Sequence, residues 1–595
     1  MVVLPIYAKQ ASFLEAGGAA LTMASAKKPS GVEVQKEASH RLRGDLAEAL
    51  NAPGGRGGIS ETAYNLIKFH GSYEQFDRDT ATARKQRGED KEWQFMVRVR
   101  PTGGAMTAAQ YLVLDALADR YSNGTLRITT RSSMQFHGVL RENLKATIAE
   151  VNHALLTTMA ACGDVVRQVM ASPAPVRDAS HARVLADARM LAAALMPRTH
   201  AYHEIFLGEE RVAGSGEEEE PLYGPAYLPR KFKIGIAHLD EAGGDNTVDV
   251  LSNDLGFIAV FEGGALQGYQ VCIGGGQGMT HNRADTYPRL ASPVAFIGPD
   301  DLLRAAEAVI RYQRDNGDRS DRRRARLKYV LEDRGVATVR EELAAYWGGP
   351  LPAPRDLPRL EVPELLGWHP QGDGRWWLGV PVPSGRIQDA PDAALRSALR
   401  EIVQRFGTDP VFTPQQDVLL TNLDEGARGS VEAVLRAHGV TLAEDLTPLS
   451  RWALACPALP TCGLALTEAE RVRAPIVAQI EAALARHGLS GERISLRITG
   501  CPNGCARPYA GDIGLVGRVP GKFAVFLGGD FEGTRLSYKF LERVPEDDIG
   551  AALEPLFAAF AERRRPGEGF GDFADRIGLE AALALAGRAA PAAAA

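Results

Sequence analysis

Two closely spaced pairs of cysteines are the residues of this sequence best suited to chemistry. Cys456 and Cys462 are separated by five residues, and Cys501 and Cys505 by three. Four thiolates can hold either a zinc ion or an iron–sulfur cluster. Structural zinc sites usually separate paired cysteines by about two to four residues, so the wider first pair favours a cluster and leaves zinc as the alternative.

Cations and hydrogen-bonding side chains alternate along three predicted strands. Side chains two residues apart on a strand share a face. We expect segment 126–139 to form one strand, whose polar face carries Arg127, Thr129, Arg131, Ser133, Gln135 and His137. By the same rule, Arg98 shares a face with Arg100, and Lys231 with Lys233. Arginine binds carboxylates bidentately, so these faces suit a ligand with many carboxylates; the alternative is an ordinary solvated sheet face.

The elements that must position these residues occur twice in the chain. Segments 94–140 and 376–423 each predict a strand, a glycine-containing turn, an amphipathic helix and another strand. Segments 253–276 and 511–529 each predict an Asp-x-Gly sequence, a strand, a turn and a strand ending in Gly-Gly. Chance similarity of common α+β segments is the alternative. The shared order and spacing favour an internal duplication, with α+β halves related by a pseudo-two-fold axis and a site where they meet.

Composition narrows the class of protein. A chain of 595 residues predicts about three or four domains. The formal net charge of -6 gives no general attraction to nucleic acid or to an anionic membrane surface. No apolar run approaches the ~20 residues that span a bilayer. Six cysteines in so long a chain argue against a disulfide scaffold.

Both termini and one basic run carry weaker signals. Residues 1–26 end in Ala-Ser-Ala but have no basic leader, which predicts an N-terminal extension rather than a signal peptide, with Met23 as an alternative start. The alanine-rich tail after Arg588 predicts disorder. The basic run 319–326 predicts a solvated helix, with nucleic-acid binding as the alternative.

Several motifs together closely resemble the siroheme-dependent sulfite/nitrite reductase family, in particular its assimilatory sulfite reductase branch. The cysteine segments are ACPALPTCGLALTEAER and RITGCPNGCARPYAGDIGLVG. The others are LIKFHGSYEQFDRD, RITTRSSMQFHGVL, YLPRKFK and GEGFGDF. The resemblance runs from about residue 39 to 579, which is most of the chain.

The resemblance implies two coupled cofactors. Cys456, Cys462, Cys501 and Cys505 would hold a [4Fe–4S] cluster, and Cys505 would also ligate the iron of a siroheme. The positions that match siroheme contacts are Arg127, Thr129, Arg131, Gln135, His137, Arg230, Asn503 and, less closely, Gln416 and Arg507. The four cations that match those around the substrate are Arg98, Arg167, Lys231 and Lys233.

The implied activity is the six-electron reduction of sulfite to sulfide in sulfur assimilation and cysteine biosynthesis, in the cytoplasm. A ferredoxin-dependent nitrite reductase of the same architecture is the nearest alternative, and CPALPTC and CPNGCARP argue against it. A zinc-bearing nucleic-acid-binding protein is a remote one. The chain has no flavin or nicotinamide fingerprint, so a separate ferredoxin or flavoprotein must supply electrons. GWHPQGDG and CARPY resemble the ferredoxin-type enzymes.

The resemblance also implies a division into domains. Residues 1–62 would be an N-terminal extension. Residues 63–159 and 352–440 would be ferredoxin-like half-domains that pair into one shared domain. Residues 160–345 would form a mixed α/β siroheme and substrate domain, and 441–585 a second one that holds the cluster. Residues 586–595 would be a disordered tail.

Overall fold

The computed structural model describes residues 28–52, 58–198, 205–207, 210–213 and 220–588. The Ala-Ser-Ala leader, Met23 and the tail beyond Arg588 lie outside the described residues.

The first segment of the chain forms an antiparallel sheet covered by helices. Its elements are α1 (Gly31–Glu37), α2 (Leu46–Asn51), α3 (Glu61–Leu66), β1 (Ser72–Phe76), α4 (Arg78–Gln86), β2 (Trp93–Val99), α5 (Ala108–Tyr121), β3 (Leu126–Ile128), β4 (Met134–Val139) and α6 (Arg141–His153). The strands pair in the order β1-β2-β4-β3. Helix α5 begins at a capping box, in which Thr107 and Gln110 satisfy each other's backbone N–H groups.

The second segment forms a mixed sheet. Its elements are β5 (Val166–Met170), α7 (Ala179–Ala194), β6 (Ile205–Leu207), β7 (Glu210–Ala213), β8 (Phe232–Leu239), β9 (Leu255–Glu262), β10 (Ala265–Ile273), β11 (Ser292–Ile297), α8 (Leu302–Asn316), α9 (Leu327–Arg334) and α10 (Val336–Trp347). Strands β5, β8 and β9 are parallel neighbours, and β10 and β11 extend the sheet antiparallel.

The third and fourth segments repeat these two plans. The third contains β12 (Gly367–Pro370), β13 (Trp376–Val380), β14 (Arg386–Ile387), α11 (Leu395–Phe406), β15 (Pro410–Phe412), β16 (Val418–Leu423) and α12 (Arg428–Ala437). The fourth contains α13 (Pro448–Arg451), β17 (Ala453–Ala455), α14 (Arg473–Arg486), β18 (Leu496–Thr499), β19 (Ile513–Val519), β20 (Lys522–Leu527), β21 (Tyr538–Pro545), α15 (Ile549–Arg563) and α16 (Phe570–Leu585).

The pairing of the strands confirms the duplication. The order β12-β13-β16-β15 matches β1-β2-β4-β3, and both sheets are antiparallel throughout. The order β17-β18-β19-β20-β21 matches β5-β8-β9-β10-β11, with the first two pairings parallel and the last two antiparallel in each sheet. Arg98 on β2 and Gly379 on β13 therefore occupy corresponding strands.

The two small sheets also exchange backbone. Strand β14, from the third segment, pairs with β3 of the first segment. In return, Ala105 of the first segment bridges to Val411 on β15. Their apolar side chains form one shared core, in which Val97 and Phe136 pack together with Leu378 and Leu420. The second and fourth segments each have a core of their own.

The basic run 319–326 is not the solvated helix that we expected. It lies in turns before α9, and three of its arginines form ion pairs with acidic residues distant in sequence. Arg322 pairs with Asp164 at 2.6 Å, and Arg326 with Asp254 at 2.7 Å. Hydrophobic periodicity could not reveal this role, because the partners lie far away along the chain.

No helix in the described part of the chain is long and apolar enough to cross a membrane.

Candidate functional site

The four cysteines lie at the ends of two neighbouring strands. Cys456 directly follows β17, and Cys501 follows β18 after a single glycine. These strands are parallel neighbours, so both loops leave the same edge of the sheet, the usual place for ligands in such sheets. The loops touch, because the backbone N–H of Gly500 donates to the Sγ of Cys456 at 3.3 Å.

The thiols also perturb one another. Burial, and then the neighbouring Cys505, raise the pKa of Cys456 well above its ordinary value and that of Cys501 to about 12. Burial and Cys505 likewise raise the pKa of Cys462. Among the residues that the structure describes, no group of three or more Cys, His, Asp or Glu side chains is close enough to hold a metal ion. Mutual repulsion identifies the four thiols as neighbours that need positive charge before all can ionise.

A cluster of cations faces this cysteine set. Burial and the nearby Arg230 lower the pKa of Lys231 to about 7, while the thiol of Cys505 acts in the opposite direction. Burial and then Arg131 lower the pKa of Lys233 well below its ordinary value, and Cys505 again opposes the shift. Both lysines therefore lie within electrostatic range of Cys505.

The other two predicted cations meet at one backbone carbonyl group. Arg98 and Arg167 both donate to the carbonyl oxygen of Ala161, at 3.3 and 3.5 Å. Arg98 also donates to the Sγ of Cys162 at 2.9 Å, a contact that no pattern in the sequence predicted. Arg167 also donates to the carbonyl oxygen of Gly163 at 2.8 Å. Both guanidinium groups are thus held in place by the protein.

Lys231 and Lys233 differ from these arginines. Both are half-buried at the start of β8. Within the described ranges, neither ammonium group has a hydrogen-bond or ion-pair partner. Holding two half-buried positive charges without a partner is unfavourable unless an anion binds there. The pair is therefore a candidate anion site.

The predicted single strand over 126–139 is wrong. The segment is a hairpin of β3 and β4, and Ser132 adopts φ 54 in the turn between them. Thr129 stabilises that turn, because its Oγ1 accepts hydrogen bonds from the backbone N–H groups of Arg131 and Ser133. Arg127, Gln135 and Arg98 nevertheless share a face, because Gln135 lies directly opposite both arginines on adjacent strands.

Several predicted contact residues bury polar atoms that have no partner in the described protein. These atoms are Nδ1 and Nε2 of His137, Oε1 of Gln135 and of Gln416, and Nε of Arg98 and of Arg131. Buried polar atoms are nearly always hydrogen-bonded, so such a group points to a polar ligand. The residues fit a cofactor rich in carboxylates on this face.

The remaining predicted contacts are partly engaged by the protein. Arg127 donates to Glu470 and to the carbonyl of Ala455. Arg507 donates to the carbonyl of Thr130 at 3.0 Å and pairs with Asp249. Asn503 acts to lower the pKa of the Cys501 thiol, against the larger effect of burial. Arg230 is half-buried directly before Lys231.

Sequence reasoning missed several charged residues around the site. Lys328 is buried and donates to the carbonyls of Gly276 and Gly278, at 3.2 and 2.7 Å. Glu470 joins Arg127 to Arg386. Only the segment TEAER, which follows the first cysteine pair, hinted at Glu470.

Comparison with known proteins identifies two kinds of domain in this chain. The profile of the "Nitrite and sulphite reductase 4Fe-4S domain" matches residues 162–351 and 449–591. The profile of the "Nitrite/Sulfite reductase ferredoxin-like half domain" matches residues 86–154 and 369–438. Each profile matches twice, once in each half of the duplicated chain.

Individual relatives and one solved structure extend the match. A "Sulfite reductase [NADPH] hemoprotein beta-component" from Myxococcus xanthus is 48% identical over 549 residues, covering 92% of this chain and 96% of the relative. The protein of the same name from Xylella fastidiosa strain M23 is 45% identical over 551 residues, with the same coverage of 92% and 96%. The structure of the Mycobacterium tuberculosis NirA protein covers 93% of this chain and 98% of its own, with a TM-score of 0.75 and 24% identity, which supports the fold. The chain therefore belongs to the nitrite and sulphite reductase family.

Proposed function

We propose that this protein is the hemoprotein component of an assimilatory sulfite reductase, which reduces sulfite to sulfide by six electrons. The observation that carries the proposal is the pair of ammonium groups of Lys231 and Lys233, which have no partner among the described residues and lie within electrostatic range of Cys505. The names of the relatives from Myxococcus xanthus and Xylella fastidiosa support the same activity.

Two cofactors fit the residues present. Cys456, Cys462, Cys501 and Cys505 would hold a [4Fe–4S] cluster. The siroheme would be held by the residues that match its contacts in the family, namely Arg127, Thr129, Arg131, Gln135, His137, Arg230, Gln416, Asn503 and Arg507, of which Arg131, Gln135, His137 and Gln416 bury polar atoms without a partner in the described protein. When bound, these cofactors supply the electrons and the iron at which the substrate reacts.

The protein's own residues bind the anion and deliver protons. Arg98 and Arg167, fixed by Ala161, present positive charge that offsets the repulsion between sulfite and the electron-rich site. Lys231 and Lys233 would hold the sulfite oxygens and pass protons to them, so that each departing oxygen leaves as water. An ammonium suits this task because it can lose a proton near neutral pH, whereas a guanidinium cannot.

The electron donor would be a separate protein. The relatives are named beta-components of NADPH-dependent enzymes, which favours a flavoprotein subunit over the ferredoxin that GWHPQGDG and CARPY indicated. We propose the cytoplasm as the site of action, since a cluster on four cysteines needs reduced thiols.

Metal analysis and a visible spectrum test the cofactor assignment. We expect anaerobically purified protein to contain iron and acid-labile sulfide, and to show the strong visible absorption of a siroheme. Stoichiometric zinc in a colourless protein would contradict it. Comparing kcat/KM for sulfite and nitrite separates the favoured activity from the nitrite reductase alternative, which the relatives' names do not favour.

The pKa of Lys231, about 7, predicts how kcat/KM for sulfite depends on pH. Below that pH the side chain is a cation that attracts the anion, and above it the charge is lost. We therefore expect kcat/KM, which reports the free enzyme, to fall as pH rises through about 7. Sulfite itself exchanges a proton near neutral pH, so the control is Lys231→Arg, whose charge persists. Profiles of the same shape in both proteins would contradict the assignment.

A further inference from the structure

Two arginines on neighbouring strands face each other beside the loop that begins at Cys456. Arg127 on β3 lies directly opposite Arg386 on β14, the strand that the third segment contributes to the first sheet. Like charges in this position destabilise a strand pair. Glu470 lies between them: its Oε2 is 3.0 Å from Nε of Arg127, and its Oε1 is 2.7 Å from Nε of Arg386.

This junction connects to the first cysteine ligand through a single hydrogen bond. The Nη2 of Arg127 donates to the carbonyl oxygen of Ala455 at 2.9 Å, and Ala455 is joined by its peptide bond to Cys456. Arg127 is 2% exposed, so solvent screens its charge very little. Cys456 is itself among the groups that influence the ionisation of Arg127. A residue that fixes the position of the Arg127 guanidinium therefore fixes a positive charge beside Cys456.

We propose that Glu470 is a positioning residue that sets the reduction potential of the cluster, by holding Arg127 against the peptide that carries Cys456. The inference rests on the proposed function, because it requires the cluster to be bound. Neither Glu470 nor Arg386 is itself among the residues that would contact a cofactor or the substrate under that proposal.

The charge of the junction gives the sign of the effect. Reduction adds negative charge to a cluster, and its potential depends on net charge and hydrogen bonding around it. Glu470 leaves the three-residue junction with a net charge of about one positive unit. Glu470→Gln removes the negative charge and frees both guanidiniums, so the cluster becomes easier to reduce. Arg386→Gln removes a positive charge and leaves the Arg127–Glu470 pair, so the cluster becomes harder to reduce.

The test is a redox titration of the holoenzyme, in which electron paramagnetic resonance measures the amount of reduced cluster. Cluster and siroheme contents are measured on the same samples. We expect Glu470→Gln to favour reduction at least tenfold, which is 59 mV for a one-electron couple. Glu470→Asp keeps the charge and should shift the equilibrium less. The matched control is Glu468→Gln, because Glu468 pairs with the exposed Arg471, whereas Arg127 and Arg386 pair with Glu470.

Glu470→Gln and Arg386→Gln test the proposal independently of each other. If Glu470→Gln does not fold, Arg386→Gln still tests the sign, with a shift in the opposite direction. An unchanged potential in a loaded Glu470→Gln or Arg386→Gln protein would overturn the inference and leave the proposed function intact. Wild-type protein without a cluster would instead refute the proposed function.

Discussion

Replacing Lys231 by methionine is expected to lower sulfite turnover by about 10²–10⁴-fold, which is the usual effect of losing a positioned proton donor. The fold and both cofactors should persist, because the Lys231 side chain makes no hydrogen bond or ion pair with the described protein. Sulfite turnover and siroheme absorbance per chain, measured on the same preparations, check both expectations.

The other reading is that Lys231 only pairs with carboxylates of the siroheme. Lys231→Met would then lose siroheme in proportion to activity, and Lys231→Arg would restore both together. Under our proposal, Lys231→Arg restores anion binding better than turnover, since a guanidinium is a poor proton donor near neutral pH. Lys85→Met, at an exposed lysine of α4, is the control for a general effect of losing a positive charge.

The second large effect is expected from Asp164→Asn. The carboxylate of Asp164 is buried and pairs with Arg322 at 2.6 Å and with Lys36 at 3.4 Å, which ties α1 to the basic run. Removing one partner of a buried ion pair typically costs about 3–5 kcal/mol. The matched control is Asp333→Asn, whose partner Arg324 belongs to the same run but whose own side chain is 59% exposed, so about 0–1 kcal/mol is expected.

Native-state hydrogen exchange in α1 and residues 318–328 measures this loss locally, and avoids assuming that so large a chain unfolds in two states. Burial raises the pKa of Asp164, but Arg322 and Lys36 outweigh it and hold that pKa well below its ordinary value. The carboxylate therefore stabilises the fold above its unfolded pKa of about 3.9, and the benefit is lost as pH falls below that value. The difference between wild type and Asp164→Asn should shrink in the same range. Equal protection in Asp164→Asn and Asp333→Asn would contradict the assignment.

The sequence was informative where the signal was local or repeated. The corresponding segments 94–140 and 376–423 predicted the duplicated sheets, and the spacing of the two cysteine pairs predicted a cluster or zinc site. The hairpin around Ser132 was missed because its turn contains no glycine or proline, and its polar residues alternate as they would on a strand. Glu470 and Asp164 were missed because their ion pairs with Arg127 and Arg322 join residues 343 and 158 positions apart, a property that no local pattern encodes.

The exchange of β14 and Ala105 between the two small sheets gives the chain the form of two subunits that have been fused end to end. In a symmetric dimer, each substitution at one site is also made at the other. Covalent fusion removes that constraint, and the second copy can change while still completing the first sheet. Corresponding strand pairs place Ile234 opposite Leu255 and Leu496 opposite Ile513, so Ser495 and Arg493 occupy the places of Lys233 and Lys231. Arg493 is held by the carbonyl of Val362 and stacks 3.7 Å from the ring of Phe531. Within the described residues, the first half therefore presents Lys231 and Lys233 without a side-chain partner, whereas the second half holds the corresponding arginine against its own backbone and an aromatic ring.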